Sequence, residues 1–326
     1  MAKTLEDVND SRHQREEIAD LFGGVIPESI LRHNPSDRAK DLLVEEQGRD
    51  YESTFHQPKE TAKQFGDVKD SERQKHLYQL SGSGARWGAL SRFPQNVGRI
   101  LLKLLSKRGD TVVDPFAGHN SRMELCWRAH RHYVGCDISK VFMAANFELR
   151  RQMLQAIASS MFKDKLCTIE LHECDSRKID APCRCVLDAD GQPIERAQHI
   201  KNNTGDFTIT SPPYWCLEDY GDEMGQLGKN DYHNFLIGLG MVAKQNFRCL
   251  KSGAFCVWCV NDFRYEGKFY PYHMHTAQLL RDAGFKQHDI AIIDLGTSMR
   301  AAFAKQILSQ RILPKRHEYA LIFVKP

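Results

Sequence analysis

Six consecutive residues, Thr210-Ser211-Pro212-Pro213-Tyr214-Trp215, carry the most legible chemistry in this chain. They follow Asp206-Phe207-Thr208-Ile209, an apolar, β-branched run that predicts a buried strand. Two adjacent prolines have no N–H and fix φ, so the chain must leave a central sheet at Ser211. The product is a stiff turn at a strand's carboxyl end, the edge where open α/β sheets bind ligands. It offers a hydroxyl, carbonyls released from ladder pairing and two aromatic faces, a set suited to a flat ring bearing an amine. Pro-Pro-Tyr alone favours a plainer reading, a proline-terminated strand with a packing tyrosine. What stands at the neighbouring strand ends decides between them.

Three earlier strands are expected to end in an acid. Thr111-Val112-Val113 runs into Asp114-Pro115-Phe116-Ala117-Gly118-His119-Asn120, Tyr133-Val134-Gly135-Cys136 ends at Asp137, and Leu166 to Glu173 ends at Asp175. Any one of these could simply cap the next helix. Together they suit a nucleotide-binding α/β fold, in which the acid after the second strand accepts hydrogen bonds from ribose hydroxyls. Asp137 has that position, and Asp175 is placed for the exocyclic amine of adenine. Gly118 lets the backbone approach a ligand where a Cβ would obstruct it.

The elements that must hold these groups alternate. Helical patterns over 96–105, 121–130, 139–161, 232–250 and 273–283 are interleaved with strands, the last ones at 255–260, 289–295 and 316–324. Such alternation implies a doubly wound, mostly parallel sheet built by right-handed crossovers, α/β in class. Residues 1–86 read as a polar N-terminal extension, DNA-contacting or partly disordered, with a helix over 5–22, a second short helix after Pro27 and a hinge at Ser81-Gly82-Ser83-Gly84. Residues 87–326 form the main domain, with an insert at 181–205 whose Asp188-Ala189-Asp190-Gly191 resembles a hairpin turn.

At 41% hydrophobic and 27% charged residues, the composition is that of an ordinary soluble protein without a membrane span. The first residues lack a signal peptide's apolar core, which predicts a cytoplasmic location. A net charge of +3 leaves any nucleic-acid surface to local patches. Arg128, His130, Arg131 and His132 read as a solvated face, and Lys305, Arg311, Lys315 and Arg316 form a second basic cluster. Ten cysteines in such a setting are reduced thiols rather than a disulfide framework. Cys256 and Cys259 should lie on opposite faces of one strand, and Cys167, His172, Cys174, Cys183 and Cys185 match no standard zinc spacing. No metal is expected.

Taken together, the residues resemble the S-adenosylmethionine-dependent amino-methyltransferases of DNA, which act on cytosine N4 or adenine N6. Thr210 to Trp215, continuing to Asp219-Tyr220-Gly221 and Gln226-Leu227-Gly228, is similar to that family's TSPPYW run. Asp114-Pro115-Phe116-Ala117-Gly118 is similar to its DPFxGxG cofactor loop, Arg92-Phe93-Pro94 to the motif over the cofactor's methionine end, and His317-Glu318-Tyr319 to its closing strand. Asn120 stands where the second loop glycine would be, the cofactor loop precedes the catalytic motif, and no long separate target-recognition domain follows.

The resemblance implies a seven-stranded, Rossmann-like class I methyltransferase fold. It implies S-adenosyl-L-methionine held by Phe93, Pro94, Asp114, Phe116, Gly118, Asn120, Asp137 and Asp175. Ser211, Pro212, Pro213 and Tyr214 become the catalytic set, and Trp215 joins Lys305, Arg311, Lys315 and Arg316 as DNA contacts. DNA is the implied partner, with a cognate restriction endonuclease as a further one in a prokaryotic or phage setting. Ser-Pro-Pro-Tyr leans to cytosine N4. Adenine N6, an RNA or protein-amide substrate, and a catalytically silent nucleic-acid-binding module remain open alternatives.

Overall fold

The computed structural model describes residues 28–32, 93–118, 121–158, 167–181, 186–187, 193–194, 200–217, 223–295, 309, 311–313 and 315–326. Its centre is an eight-stranded sheet. In chain order the strands and helices are β1 (Ile30–Arg32), α1 (Gln95–Leu105), β2 (Thr111–Asp114), α2 (Ser121–Arg128), β3 (His132–Asp137), α3 (Lys140–Ala158) and β4 (Ile169–Glu173). There follow the short strands β5 (Val186–Leu187) and β6 (Pro193–Ile194), then β7 (Gly205–Thr210), α4 (Tyr232–Cys249) and β8 (Leu250–Val260). Strands β9 (Phe263–Tyr265) and β10 (Lys268–Tyr270), helix α5 (Tyr272–Asp282), β11 (Lys286–Asp294) and β12 (His317–Val324) complete the set.

The sheet order is β1-β11-β12-β8-β7-β2-β3-β4, and only β12 runs against its neighbours. From β2 the chain builds outward to β3 and β4, then returns to lay β7 on the other side of β2. This reversal opens a crevice at the carboxyl ends of β2 and β7, the switch point where doubly wound sheets bind ligands.

The expected seven strands are present, and β1 adds an eighth. Ile30–Arg32 pairs in parallel with Ile292–Asp294 and buries Leu31, so a strand stands where a short helix after Pro27 was expected. A three-residue strand is specified by its distant partner, not by local pattern. The rest of the 1–86 segment lies outside the described residues, including the 5–22 helix and the Ser81–Gly84 hinge. In the 181–205 insert β5 pairs antiparallel with β6, which agrees with a hairpin.

Both faces of the sheet are covered. One packs α1, α2 and α3 through residues such as Val97, Leu101, Met123, Leu125 and Met143. The other packs α4 and α5 through Phe235, Leu239, Tyr272 and Leu280 against Cys256, Trp258 and Val260. Cys256 and Cys259 therefore fall on opposite faces, as alternation requires. Asn246 of α4 ties the second layer down. Its amide donates to the Thr208 hydroxyl at 2.8 Å and its oxygen accepts from the Trp258 indole at 3.2 Å, all fully buried.

Arg128, His130, Arg131 and His132 are not a solvated face. Arg128 is 1% exposed and paired with Glu124 at 2.6 Å, while Arg131 donates to the Leu102 and Ser106 carbonyls at the C-terminal end of α1. Buried cations persist where they are paired or hydrogen-bonded. Among the described residues no helix is long and apolar enough to cross a membrane.

Candidate active site

Where β2 ends, Asp114 is fully buried and receives four donors. Arg122 Nε lies 2.6 Å away, Tyr133 Oη 2.8 Å, Thr210 Oγ1 2.6 Å and the Phe116 amide 3.1 Å. The Arg122 guanidinium also donates to the Phe116 and Ala117 carbonyls, so one ion pair fixes the path of the loop. Asp114 thus sits beneath the loop, not in the cavity, and any part it takes in ligand binding is through the loop's shape. Thr210, the residue before Ser211, makes it the bolt between the two motif-bearing strands.

The loop continues to Gly118, whose φ of +50 favours glycine. Its amide donates to Asp137 at 2.7 Å and its carbonyl accepts from Asn146 at 2.9 Å. Asp137 takes a second bond from the Ser139 amide at 2.8 Å. Loss of solvent nevertheless pushes its carboxyl from the ordinary 3.8 up to about 6. Asn120 lies outside the described residues. Phe93 and Pro94 stand at the head of α1, where Pro94 is the N-cap and Phe93 is buried with the Arg122 guanidinium 5.5 Å from its ring centre.

The crevice holds a cavity of about 570 Å³ lined by Pro115, Phe116, Asp137, Ile138, Asp175, Ser176, Ser211, Pro213, Gly225, Gln226, Leu227 and Val242. Phe116, Asp137 and Asp175 meet Ser211 and Pro213 here, drawn from separate strand ends and loops. Asp175 is not solitary. It caps the short 3₁₀ turn after β4, and both carboxylate oxygens are gripped by the Arg177 guanidinium, the shortest contact being 2.6 Å.

Arg177 extends the grip to the Gly225 carbonyl at 3.0 Å, and Glu223 accepts from the Lys140 amide at the start of α3 at 3.0 Å. The segment after the Ser211 turn is thereby clasped to the opposite wall. Gly225, at φ +111, would place a Cβ 3.0 Å from both Ile138 and Arg177. Sequence reasoning singles out none of Arg177, Ile138, Gly225 and Gln226 as a site residue. The run Gln226-Leu227-Gly228 is the one available signal.

Beyond β7, Ser211 is half-buried on the cavity wall and Pro212 is buried. Among the described residues, neither the Ser211 hydroxyl nor the Pro212 carbonyl is committed to a hydrogen bond, whereas the Pro213 carbonyl accepts from Tyr272 at 2.9 Å. Tyr214 meets Tyr272 edge-on with ring centres 6.0 Å apart and hydrogen-bonds the carboxyl of Glu318 on β12. Burial lifts Glu318 from 4.5 to about 7, with the Tyr214 bond pulling the other way.

Trp215, at φ +51, is surrounded by Tyr232, Tyr265 and Tyr270 at 5.1 to 5.3 Å, and its indole N–H is used by the Asn230 carbonyl. It packs among these rings and stays half-buried. Arg311 is exposed. Arg316 pairs with Asp294 at 2.9 Å, and Lys315 reaches the buried Asp262 at 3.1 Å. Lys305 lies outside the described residues, as do Cys183 and Cys185. Among the described residues no group of three or more metal ligands occurs.

A family model described as DNA methylase matches residues 8–148, a stretch that includes the Asp114–Gly118 loop and ends before the Ser211 turn. Over that stretch the chain is similar to DNA methylases. No curated protein sequence matched. Among solved structures, it is similar to a candidate DNA modification methylase from Thermus thermophilus, in a form complexed with S-adenosyl-L-methionine. That match has 25% identity over 39% of this chain and 47% of the other, with a TM-score of 0.29. It spans about half the length of the Thermus protein. A SAM-dependent methyltransferase from Methanosarcina mazei aligns at 14% identity over 69% of this chain and 96% of its own, with a TM-score of 0.41.

Proposed function

We propose that this protein transfers the methyl group of S-adenosyl-L-methionine to the exocyclic amine of a base flipped out of DNA, and that the base is cytosine, modified at N4. The observation that carries the reading is the convergence of the Ser211-Pro212 turn with Asp137 and Asp175 on one cavity at the sheet's switch point. The cavity suits the cofactor. Phe116, Ile138, Leu227 and Val242 supply apolar walls for a purine, Asp137 and Asp175 supply acceptors for hydroxyl and amine hydrogens, and Gly225 leaves room that a Cβ would take. When bound, the cofactor supplies an electrophilic methyl on a positively charged sulfur, so no covalent enzyme intermediate is needed.

An exocyclic amine on a nucleobase is a weak nucleophile because its lone pair is delocalised into the ring. The Ser211 hydroxyl and the Pro212 carbonyl act as acceptors for its two hydrogens, which favours a pyramidal nitrogen with the lone pair directed outward. Such acceptors bind the transition state better than the ground state. Tyr214, fixed between Tyr272 and Glu318, provides the face on which the flipped base stacks and so offsets part of the few kcal/mol spent on unstacking. Ser211 can donate to or accept from either cytosine or adenine, so adenine N6 is the alternative within the same chemistry. Incubation with labelled cofactor and DNA, followed by nucleoside mass spectrometry, tests the reading: N4-methylcytosine is expected, and label in RNA or protein only would refute it.

A further inference from the structure

The chain between β8 and α5 forms a two-faced hairpin that the mechanism above does not use. β9 and β10 pair antiparallel, with Phe263 opposite Tyr270, Arg264 opposite Phe269 and Tyr265 opposite Lys268. Glu266 and Gly267 close it with φ of 48 and 78, the both-positive backbone of the tightest hairpin turns. Alternation then assigns the two faces. Phe263, Tyr265, Lys268 and Tyr270 share one; its rings pack on Trp215 and Tyr232, Tyr265 also hydrogen-bonds Cys216, and the exposed Lys268 ammonium lies 5.3 Å from the centre of the Tyr270 ring. The hairpin is thereby fastened to the residues that follow Tyr214.

The other face carries Arg264 and Phe269. The Arg264 guanidinium lies 5.2 Å from the centre of the Phe269 ring, and the Lys315 ammonium lies at the same 5.2 Å. Phe269 remains 40% exposed despite its size, and Arg264 is exposed beside it. The acids nearby are Glu266 at the turn tip and Asp262, which is buried and already held by His273 and Lys315. Two cations, Arg264 and Lys315, thus flank one solvent-facing ring, with Lys268 exposed on the hairpin's other side, at the carboxyl end of the sheet that bears the Ser211 turn.

We propose that this hairpin is a DNA-contacting element. Arg264, Lys268 and Lys315 bind backbone phosphates of the strand that carries the target base, and Phe269 stacks on a base unstacked next to it. Cations tracking a backbone beside an aromatic platform are how unpaired strands are held. This role rests on the proposed reaction on DNA.

Binding of a fluorescein-labelled single-stranded oligonucleotide and of its duplex, followed by anisotropy across a salt series, tests it on wild type, Phe269→Ala and the double variant Arg264→Ala/Lys268→Ala. Melting curves and calorimetric cofactor affinity confirm that each variant is folded. Removing the two cations should weaken binding about tenfold or more and reduce the salt slope by about one to two. Removing the ring should weaken single-strand binding about fivefold or more. Affinities within about twofold of wild type with unchanged slopes, or no DNA binding by wild type, would overturn the proposal. Methylation of DNA by wild type with unaltered hairpin variants sinks the hairpin alone. A wild type that binds DNA through the hairpin but methylates no base sinks the reaction alone.

Discussion

Ser211 and Glu318 stand on two sides of Tyr214 and call for different tests. In the proposed reaction Ser211 offers one of two acceptors for the amine, so Ser211→Ala should lower kcat about 10²–10³-fold, roughly 3–4 kcal/mol by analogy with removal of an oxyanion-hole donor. Single-turnover kinetics would show it, and a variant as fast as wild type would remove Ser211 from the mechanism. Glu318 holds its proton more tightly in the folded protein than in the unfolded chain. Its contribution to stability is therefore full below 4.5 and is lost as pH rises toward about 7. The melting temperature of wild type should fall relative to Glu318→Gln across that window. Parallel pH profiles for the two proteins would show that Glu318 does not titrate there.

At the scale of elements, Thr210 and Asp114 join β7 to β2 by one buried hydrogen bond to a charged acceptor. Thr210→Val keeps the side chain's shape and leaves a carboxylate oxygen short of a partner, at a cost of about 1–3 kcal/mol. Denaturant titration should register that loss, and a midpoint equal to wild type would show that the tie is not stabilising. This bond also marks where sequence reading stops. Both motifs are legible as strand ends because β-branched runs, prolines and glycines are local signals. The bond between them spans 96 residues of chain and has none. The Asp175–Arg177 grip is hidden for another reason. Acid and base two apart in sequence normally diverge, and only the 3₁₀ turn folds Arg177 back onto its neighbour. The β9–β10 hairpin escapes notice because its aromatics are interrupted by Arg264, Glu266 and Lys268, and the rings they meet come from Trp215 and Tyr232.

For the molecule as a whole, the alternation of helices and strands suffices for the fold class, since a parallel sheet with right-handed crossovers admits few arrangements. The eighth strand does not follow from it, because Ile30–Arg32 is defined by pairing with residues near the other end of the chain. A net charge of +3 provides little general attraction to DNA, so the proposed function requires affinity from local groups near the crevice, such as the hairpin's cations. Structure and proposed chemistry meet at the switch point, where the turn at Ser211, the loop at Phe116 and the acids Asp137 and Asp175 face one cavity. Nucleoside mass spectrometry of DNA incubated with the protein and labelled S-adenosylmethionine tests that most directly. The expected product is N4-methylcytosine, lost in Ser211→Ala. DNA in which neither N4-methylcytosine nor N6-methyladenine appears would contradict the assignment.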